Sequence, residues 1–261
     1  MIFKSITIIG AGNVAFHLCK SFVKAGYNIS QLYSRNANKA LQLSKELSAE
    51  AINNLHDIKN NADIYIIAVK DDAIESIARK LNLDNKIVAH TSGSIPLEIL
   101  KQASSKNGIF YPLQTFKDKN TEIDFSNLPI CITSDNEEVK KTLHLLAASI
   151  SKEVYFIDEE QRLPLHIAAV FANNFSNYLL SISEDILNKE KLPFRLLLPL
   201  ITSTLNKIKE HSPKNLQTGP AIRNDQETIK RHLNYLNQFN AYREVYKLIT
   251  NNLLKQKKNE G

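Results

Sequence analysis

The sequence predicts an α/β fold: a doubly wound, mainly parallel sheet followed by an all-helical C-terminal domain. Up to Asp158, short apolar runs alternate with amphipathic helical patterns, which is how strands joined by crossover helices read. Beyond Asp158 the strand-like runs stop and helical patterns continue to the end of the chain. The expected division is 1–157 for the sheet domain and 158–261 for the helical one.

The strand runs are 6–9, 29–33, 64–69, 87–90, 109–111, 130–133 and 154–157. Helical patterns at 14–25, 39–47, 73–81, 97–103 and 137–150 lie between them. The runs beginning at Ile64 and Ile87 hold few polar residues, as strands covered on both faces do. In the second half, helices are expected at 161–188, 195–211, 227–238 and 242–255. Pro164 suits the opening turn of the first of these. The stretch "EHSPKNLQTGPAIRND" reads as a loop, and neither an internal repeat nor a low-complexity linker separates the halves.

With 261 residues, 43% of them hydrophobic, the chain can bury a substantial core. The formal net charge is +6, but both signs are spread along the chain, and the dense basic run from Lys255 to Lys258 reads as a solvated helix end. A nucleic-acid partner would need a broader basic patch interleaved with aromatics, so none is expected. No apolar stretch approaches the roughly 20 residues that span a bilayer, and the chain enters a strand without a leader pattern. No membrane partner is expected, and the location expected is the cytoplasm. Cys19 and Cys131 stand far apart, with neither metal-ligand spacing nor a disulfide framework; they read as buried thiols, and no metal site is expected.

The strongest local signal is Gly10-Ala11-Gly12-Asn13-Val14-Ala15, a G-x-G-x-x-A run between a strand and a helix. Gly10 permits the sharp turn, Gly12 lets the backbone approach a pyrophosphate, and Ala15 allows close packing of helix on strand. This is the Rossmann-type dinucleotide fingerprint in its required context, with the phosphates expected at Gly10, Gly12, Asn13 and Val14, on the helix N-terminus. About twenty residues later, where a carboxylate would bind a ribose 2′-OH, the sequence reads Ser34-Arg35-Asn36. An arginine there can pair with a 2′-phosphate while serine and asparagine add hydrogen bonds. The cofactor expected is NADP(H) rather than NAD(H). Val69, at the end of a later strand, is expected to form a packing surface for it, and Asp72 to cap the helix that follows.

Candidate chemistry begins at "AHTSGSIP", which ends the strand at 87–90. His90, Ser92 and Ser94 crowd around Gly93 and could receive a carboxylate or carbonyl oxygen, although Ser94 alone also reads as a helix cap. "GIFYPLQTF" brings Tyr111, Pro112 and Gln114 to the next strand end, read as a tight turn packed by aromatics, with ligand contact through Gln114 as the alternative. On the long helix, His166, Val170, Asn173, Asn174 and Asn177 fall on one α-helical face, flanked by apolar residues that suggest burial. Histidine suits proton transfer near neutral pH, so His166 is the acid/base candidate, with Asn173 and Asn174 beside it. In "TGPAIRNDQET", Gly219-Pro220 fixes a turn, Asp225 reads as an N-cap, and Arg223 is left as a clamp for an acidic group.

Together, "GAGNVAFHL", "HTSGSIPLEIL", "GIFYPLQTF", "HIAAVFANNFSNYLL" and "TGPAIRNDQETIKRHL" resemble a bacterial family of Rossmann-like proteins with an uncharacterised C-terminal helical domain, provisionally described as NADP-dependent oxidoreductases. The resemblance spans nearly the whole chain. More distantly the layout is similar to pyrroline-5-carboxylate reductase and the β-hydroxyacid dehydrogenases, which implies a helical domain used for homodimerisation and an active site between domains. The β-hydroxyacid dehydrogenases use a lysine on their interdomain helix. Here no lysine occurs between Arg162 and Lys189, so their mechanism does not carry over.

The function expected is hydride transfer between NADP(H) and a small, acidic carbonyl, hydroxyl or imine substrate. A non-catalytic NADP(H)-binding regulator or redox sensor is the rival reading, and a reductase of a deazaflavin a third.

Overall fold

The computed structural model describes residues 3–259, with side chains as far as residue 256. Lys257 and Lys258 of the basic run therefore lie outside the described side chains. The chain divides into two compact units, Met1–Ala172 and Asn173–Gly261.

The first unit is an α/β sheet domain. In chain order it contains β1 (Ser5–Ile9), α1 (Asn13–Lys24), β2 (Asn28–Tyr33), α2 (Ala37–Leu47), β3 (Glu50–Ile52), β4 (Ile64–Ile67), α3 (Asp71–Ala78), β5 (Ile87–His90), β6 (Asn107–Pro112), β7 (Ile130–Thr133), α4 (Glu137–Ala148), β8 (Val154–Phe156) and α5 (Glu159–Ala169). The strands form one sheet in the order β3-β2-β1-β4-β5-β6-β7-β8. Strands β1 to β6 are parallel, and β7 turns antiparallel to β6 with β8 parallel to it. The chain leaves β1 to one side for β2 and β3, then returns to the other side for β4. That reversal opens a crevice beyond the carboxyl ends of β1 and β4, the binding place of such sheets.

Alternation along the central strands builds the two core layers. Ile6, Ile8, Ile64 and Ile66 pack with α1 on one face, while Ile9, Tyr65 and Ile67 pack with α3 on the other; all of them are fully buried. Each such aliphatic side chain contributes about 1.5–3 kcal/mol by leaving water. Helix α1 presents Ala15, Leu18, Cys19 and Phe22 to the sheet, and Phe22 meets Phe110 of β6 edge-on with ring centroids 5.8 Å apart. Asn36 caps α2 by accepting from Lys39 N, and Asn136 caps α4 by accepting from Glu138 N and Val139 N.

Three expectations are corrected. The edge strand β3 was not expected; at three residues it is too short to show alternation. The helix expected at 97–103 is a 3₁₀ helix over Leu97–Gln102. Helix α3 begins at Asp71, with Lys70 in the capping position, so Asp72 is not the cap.

Helix α5 starts at Glu159 with Gln161 Oε1 accepting from Asp158 N, which places Pro164 inside the second turn. It runs into a π-helical segment, Val170–Phe175, and then into α6 (Ser176–Lys189). Each π turn takes in one residue more than an α turn and rotates the following side chains by about 100°. The stripe drawn through His166, Asn173, Asn174 and Asn177 on α-helical spacing therefore does not run straight. Nor is this helix enclosed in the single chain: Leu163 and Ile167 are both nearly half exposed.

The second unit continues through α7 (Leu198–Lys207), α8 (Pro220–Arg223), α9 (Gln226–Tyr235) and α10 (Asn240–Asn259). Asp225 caps α9 by accepting from Thr228 N at 3.0 Å, as expected. Ala221, Ile229, Leu236 and Thr250 are its buried residues among those described, and Leu196, Leu198, Leu200, Leu205 and Leu248 are at least half exposed.

Candidate active site

The crevice end of β1 is made by backbone. Gly10 has φ +138°, and its N–H donates to Tyr33 O of β2 at 2.8 Å. A Cβ there would overlap the Ala68 carbonyl oxygen and touch Val69 Cγ1, so this turn requires glycine and sets Val69 beside it. A Cβ on Gly12 would meet nothing within 4 Å. Gly12 is also the N-cap of α1 and makes no side-chain cap hydrogen bond. The first N–H groups of α1, having no intrahelical acceptors, thus face an open cradle that fits a pyrophosphate.

The Asn13 side chain is engaged within the domain. Its Nδ2 donates to Phe116 O and Lys117 O at 2.9 and 2.6 Å, which leaves its backbone N–H, not its side chain, for a phosphate. One turn on, His17 Nε2 contacts Asp118 O at 2.7 Å, so two residues of α1 clamp the connection between β6 and β7. At the end of β2, Ser34 Oγ accepts from Asn36 N, and Asn36 is occupied as the α2 cap. Arg35 is exposed and forms no ion pair among the described residues.

Beyond β5 and β6 the site is made by side chains. Ser92 Oγ accepts from Ser94 N and Ile95 N, both at 3.1 Å, and Ser94 Oγ donates to Asp71 Oδ2 of α3 at 2.6 Å. Ser94 is therefore tied to α3 through Asp71 as well as to its own turn. Below them, His90 is fully buried and its Nδ1 accepts from Ser92 N at 3.1 Å. Burial, aided by the Arg162 charge, pushes the His90 pKa down to about 4, so the ring is neutral at physiological pH. An enclosed ring cannot touch a ligand. His90 acts through the Ser92 peptide it holds, and its expected substrate contact is corrected accordingly.

Arg162 of α5 is itself buried; it donates from Nη1 to Ser92 O at 3.1 Å and from Nη2 to Glu159 Oε1 at 2.8 Å. The Ser92 peptide is thus gripped at its N–H by His90 and at its C=O by Arg162. Next in the chain comes Gly93. A Cβ on it would lie 2.7 Å from His166 Nδ1 and 2.7 Å from Tyr111 Cζ. The missing side chain lets those two rings meet, with Tyr111 Oη and His166 Nδ1 3.0 Å apart and the rings edge-on at 6.0 Å. Tyr111 is buried and its pKa is pushed up to about 12, chiefly by that burial, so it stays a phenol. His166 is half-buried. The pair can give or take a proton at the carboxyl edge of the sheet.

Tyr111, Gly93, Arg162 and Asp71 were not picked out as site residues. Tyr111 stood in a motif read as aromatic packing; its place at the carboxyl end of a parallel strand was the usable signal. Asn173 and Asn174 lie in the π-helical segment, at the start of the second unit. Arg223 is the exposed last residue of α8, followed by Asn224 at φ 57°.

Comparison with known proteins places this geometry. The family described as NADP oxidoreductase coenzyme F420-dependent matches residues 5–92, and a domain of unknown function, DUF2520, matches residues 128–253. A solved structure from Bacteroides fragilis, provisionally named an NADP oxidoreductase, is 36% identical, covers 97% of this chain and 98% of its own, and superimposes with a TM-score of 0.88. The chain belongs to that family. It is accordingly an oxidoreductase, and its cofactor is NADP(H). The fold extends to more distant enzymes. A pyrroline-5-carboxylate reductase from Coxiella burnetii is 14% identical, with 99% of this chain and 98% of that one covered and a TM-score of 0.60. A reductive aminase from Aspergillus terreus, solved with NADPH and ethyl-5-oxohexanoate, is 14% identical over 98% of this chain and 92% of its own, with a TM-score of 0.66. No match was found among curated proteins.

Proposed function

We propose that this oxidoreductase moves a hydride between NADP(H) and a small carbonyl, hydroxyl or imine compound bearing an acidic group, and that His166 moves the accompanying proton. The observation that carries the reading is the His166–Tyr111 pair against Gly93, beyond β5 and β6. In sheets of this topology the nicotinamide half of a dinucleotide lies on that side of the β1–β4 crevice. Bound NADPH supplies the hydride; the chain supplies position and the proton. Gly10, Gly12, Asn13 and Val14 would hold the pyrophosphate through backbone N–H groups, Val69 would pack beside it, and Ser34, Arg35 and Asn36 would meet the 2′-phosphate. Ser92 and Ser94 would contact the substrate or the nicotinamide amide, with His90 fixing Ser92 from beneath. Asn173 and Asn174 would orient the substrate and Arg223 neutralise its acidic group.

In this reading residues 1–157 are the dinucleotide domain and 158–261 the substrate and dimerisation domain. A homodimer is supported by the Leu196, Leu198, Leu200, Leu205 and Leu248 side chains, which a monomer leaves in water. Sedimentation at micromolar concentration should give twice the 29.5 kDa chain mass. Two buried thiols, Cys19 and Cys131, their pKa values raised to about 12 and 11 by burial, suit the cytoplasm. The F420-dependent description comes with residues 5–92, which exclude Tyr111 and His166, so the second redox partner does not follow from that match.

The test is His166→Ala. It should abolish NADPH turnover with small keto and imino acids and leave NADPH affinity intact. Turnover at the parent rate would remove His166 from proton transfer, and wild-type protein that binds NADPH but turns over nothing would favour the regulator.

A further inference from the structure

Proton transfer at His166 raises a question of supply. A neutral imidazole that gives up its only N–H becomes a strongly basic anion unless its other nitrogen is reprotonated at once. The surroundings of that other nitrogen are specified. His166 Nδ1 faces inward, 3.0 Å from Tyr111 Oη and against the space that a Gly93 side chain would fill. The imidazole edge bearing Nε2 is the one left for a ligand.

We propose that Tyr111 is the positioning residue of a two-step proton relay, donating its O–H to His166 Nδ1 and so keeping the histidine proton on Nε2. This rests on His166 being the acid of the reaction. For a carbonyl substrate, hydride reaches the carbonyl carbon and the C=O π pair moves onto oxygen. The Nε2–H bond breaks as a substrate O–H bond forms, and the Tyr111 proton passes to Nδ1. The negative charge that entered with the hydride ends on the Tyr111 phenolate, and water restores its proton. Atoms and charge balance without a further reactant. In the oxidative direction each transfer runs backward.

On balance the neighbourhood holds Tyr111 as a phenol, with burial the main cause, and one neighbouring charge eases a brief phenolate. The charged and titratable groups around the pair are Arg162 and Glu159 of α5, Asp71 of α3 and Cys131 of β7. Burial is the largest influence against the phenolate, with Cys131 and Asp71 adding to it, and the buried Arg162 cation works the other way; Asp71 is engaged by Ser94. Gly93 is a condition of this arrangement, since any side chain would separate the rings.

The decisive experiment is nitrogen NMR of the cofactor-free protein with labelled histidine, compared with Tyr111→Phe. In its uncharged form the wild-type His166 ring should be mostly the Nε2–H tautomer, and the variant should show a mixture of both. In steady state, Tyr111→Phe should lower kcat by about 10–100-fold, leave NADPH affinity unchanged and shift the pH profile of kcat. A wild-type ring carrying its proton on Nδ1, which needs no variant to fold, overturns the relay. So does a Tyr111→Phe protein with unchanged tautomer and kcat. If His166→Ala keeps full turnover, the acid assignment fails first. If His166→Ala is dead while Tyr111→Phe is fully active, only the relay fails.

Discussion

The two ends of the crevice are built by opposite means. At β1 the site is backbone: a glycine turn, a helix start and an open cradle, complete within a few consecutive residues. At β5 and β6 it is side chains, drawn from positions 71 to 166 and meeting over one glycine that leaves room for them. A backbone site tolerates most changes but not a Cβ at the turn. A side-chain site depends on contacts made across several elements, so it can lose its chemistry while the fold and the cofactor remain.

The contrast breaks most severely at Gly10. Gly10→Ala puts a Cβ into the Ala68 carbonyl and strains a φ of +138°, costing about 3 kcal/mol or more in unfolding free energy. Urea unfolding should show that loss together with the loss of NADPH binding; a variant that unfolds and binds like the parent would contradict the backbone account.

Gly93→Ala is the counterpart. Its Cβ would meet His166 Nδ1 and Tyr111 Cζ at 2.7 Å, so the rings must part. Turnover should fall about 100-fold while NADPH affinity holds, measured by steady-state kinetics and fluorescence titration. Equal losses in both would mean that the two ends are not separable.

The same contrast governs what could be read from the sequence. The strand–glycine–helix order around Gly10 is local, and its steric requirement is written into neighbouring residues, so the cradle was legible. The position of Arg35 just past the end of β2 was legible too, from a twenty-residue spacing. Tyr111 and His166 are 55 residues apart, and nothing local distinguishes a packing tyrosine from one that touches a histidine. His90 looked like a ligand contact because its serine neighbours are polar, yet strand alternation turned it into the core. The π segment escaped notice because its sequence continues the helical pattern, and only the i→i+5 bonding changes phase.

His90 sharpens the side-chain end through pH. Its pKa falls from 6.5 in the unfolded chain to about 4 in the folded one. Between those values the unfolded state binds the proton, so stability is full above about pH 6.5 and declines as pH falls toward 4. From pH 7 to pH 5 this costs about 2 kcal/mol. His90→Asn, which retains an acceptor for Ser92 N, should remove that part of the slope in unfolding measured at several pH values. An identical slope in both proteins would assign the decline to other groups.

The smallest effect belongs to Arg35, the side chain proposed to meet the 2′-phosphate at the backbone-built end. The proposed role of the cradle at Gly10 and Gly12 is to hold a pyrophosphate, which both dinucleotides share; only the 2′-phosphate differs. Ser34 and Asn36 each have a partner in the local turn, whereas Arg35 is exposed and has no ion pair among the described residues, so in the proposed reading discrimination rests on one guanidinium in water. Charge-assisted pairing there is worth about tenfold in affinity, weakened by salt. Arg35→Asp should therefore lower the ratio of NADPH to NADH affinity by about tenfold or more, reading the shift as ligand-induced changes in melting temperature. Stability without ligand should not change. A ratio that stays put would move the phosphate contact off β2, with the cradle itself still intact.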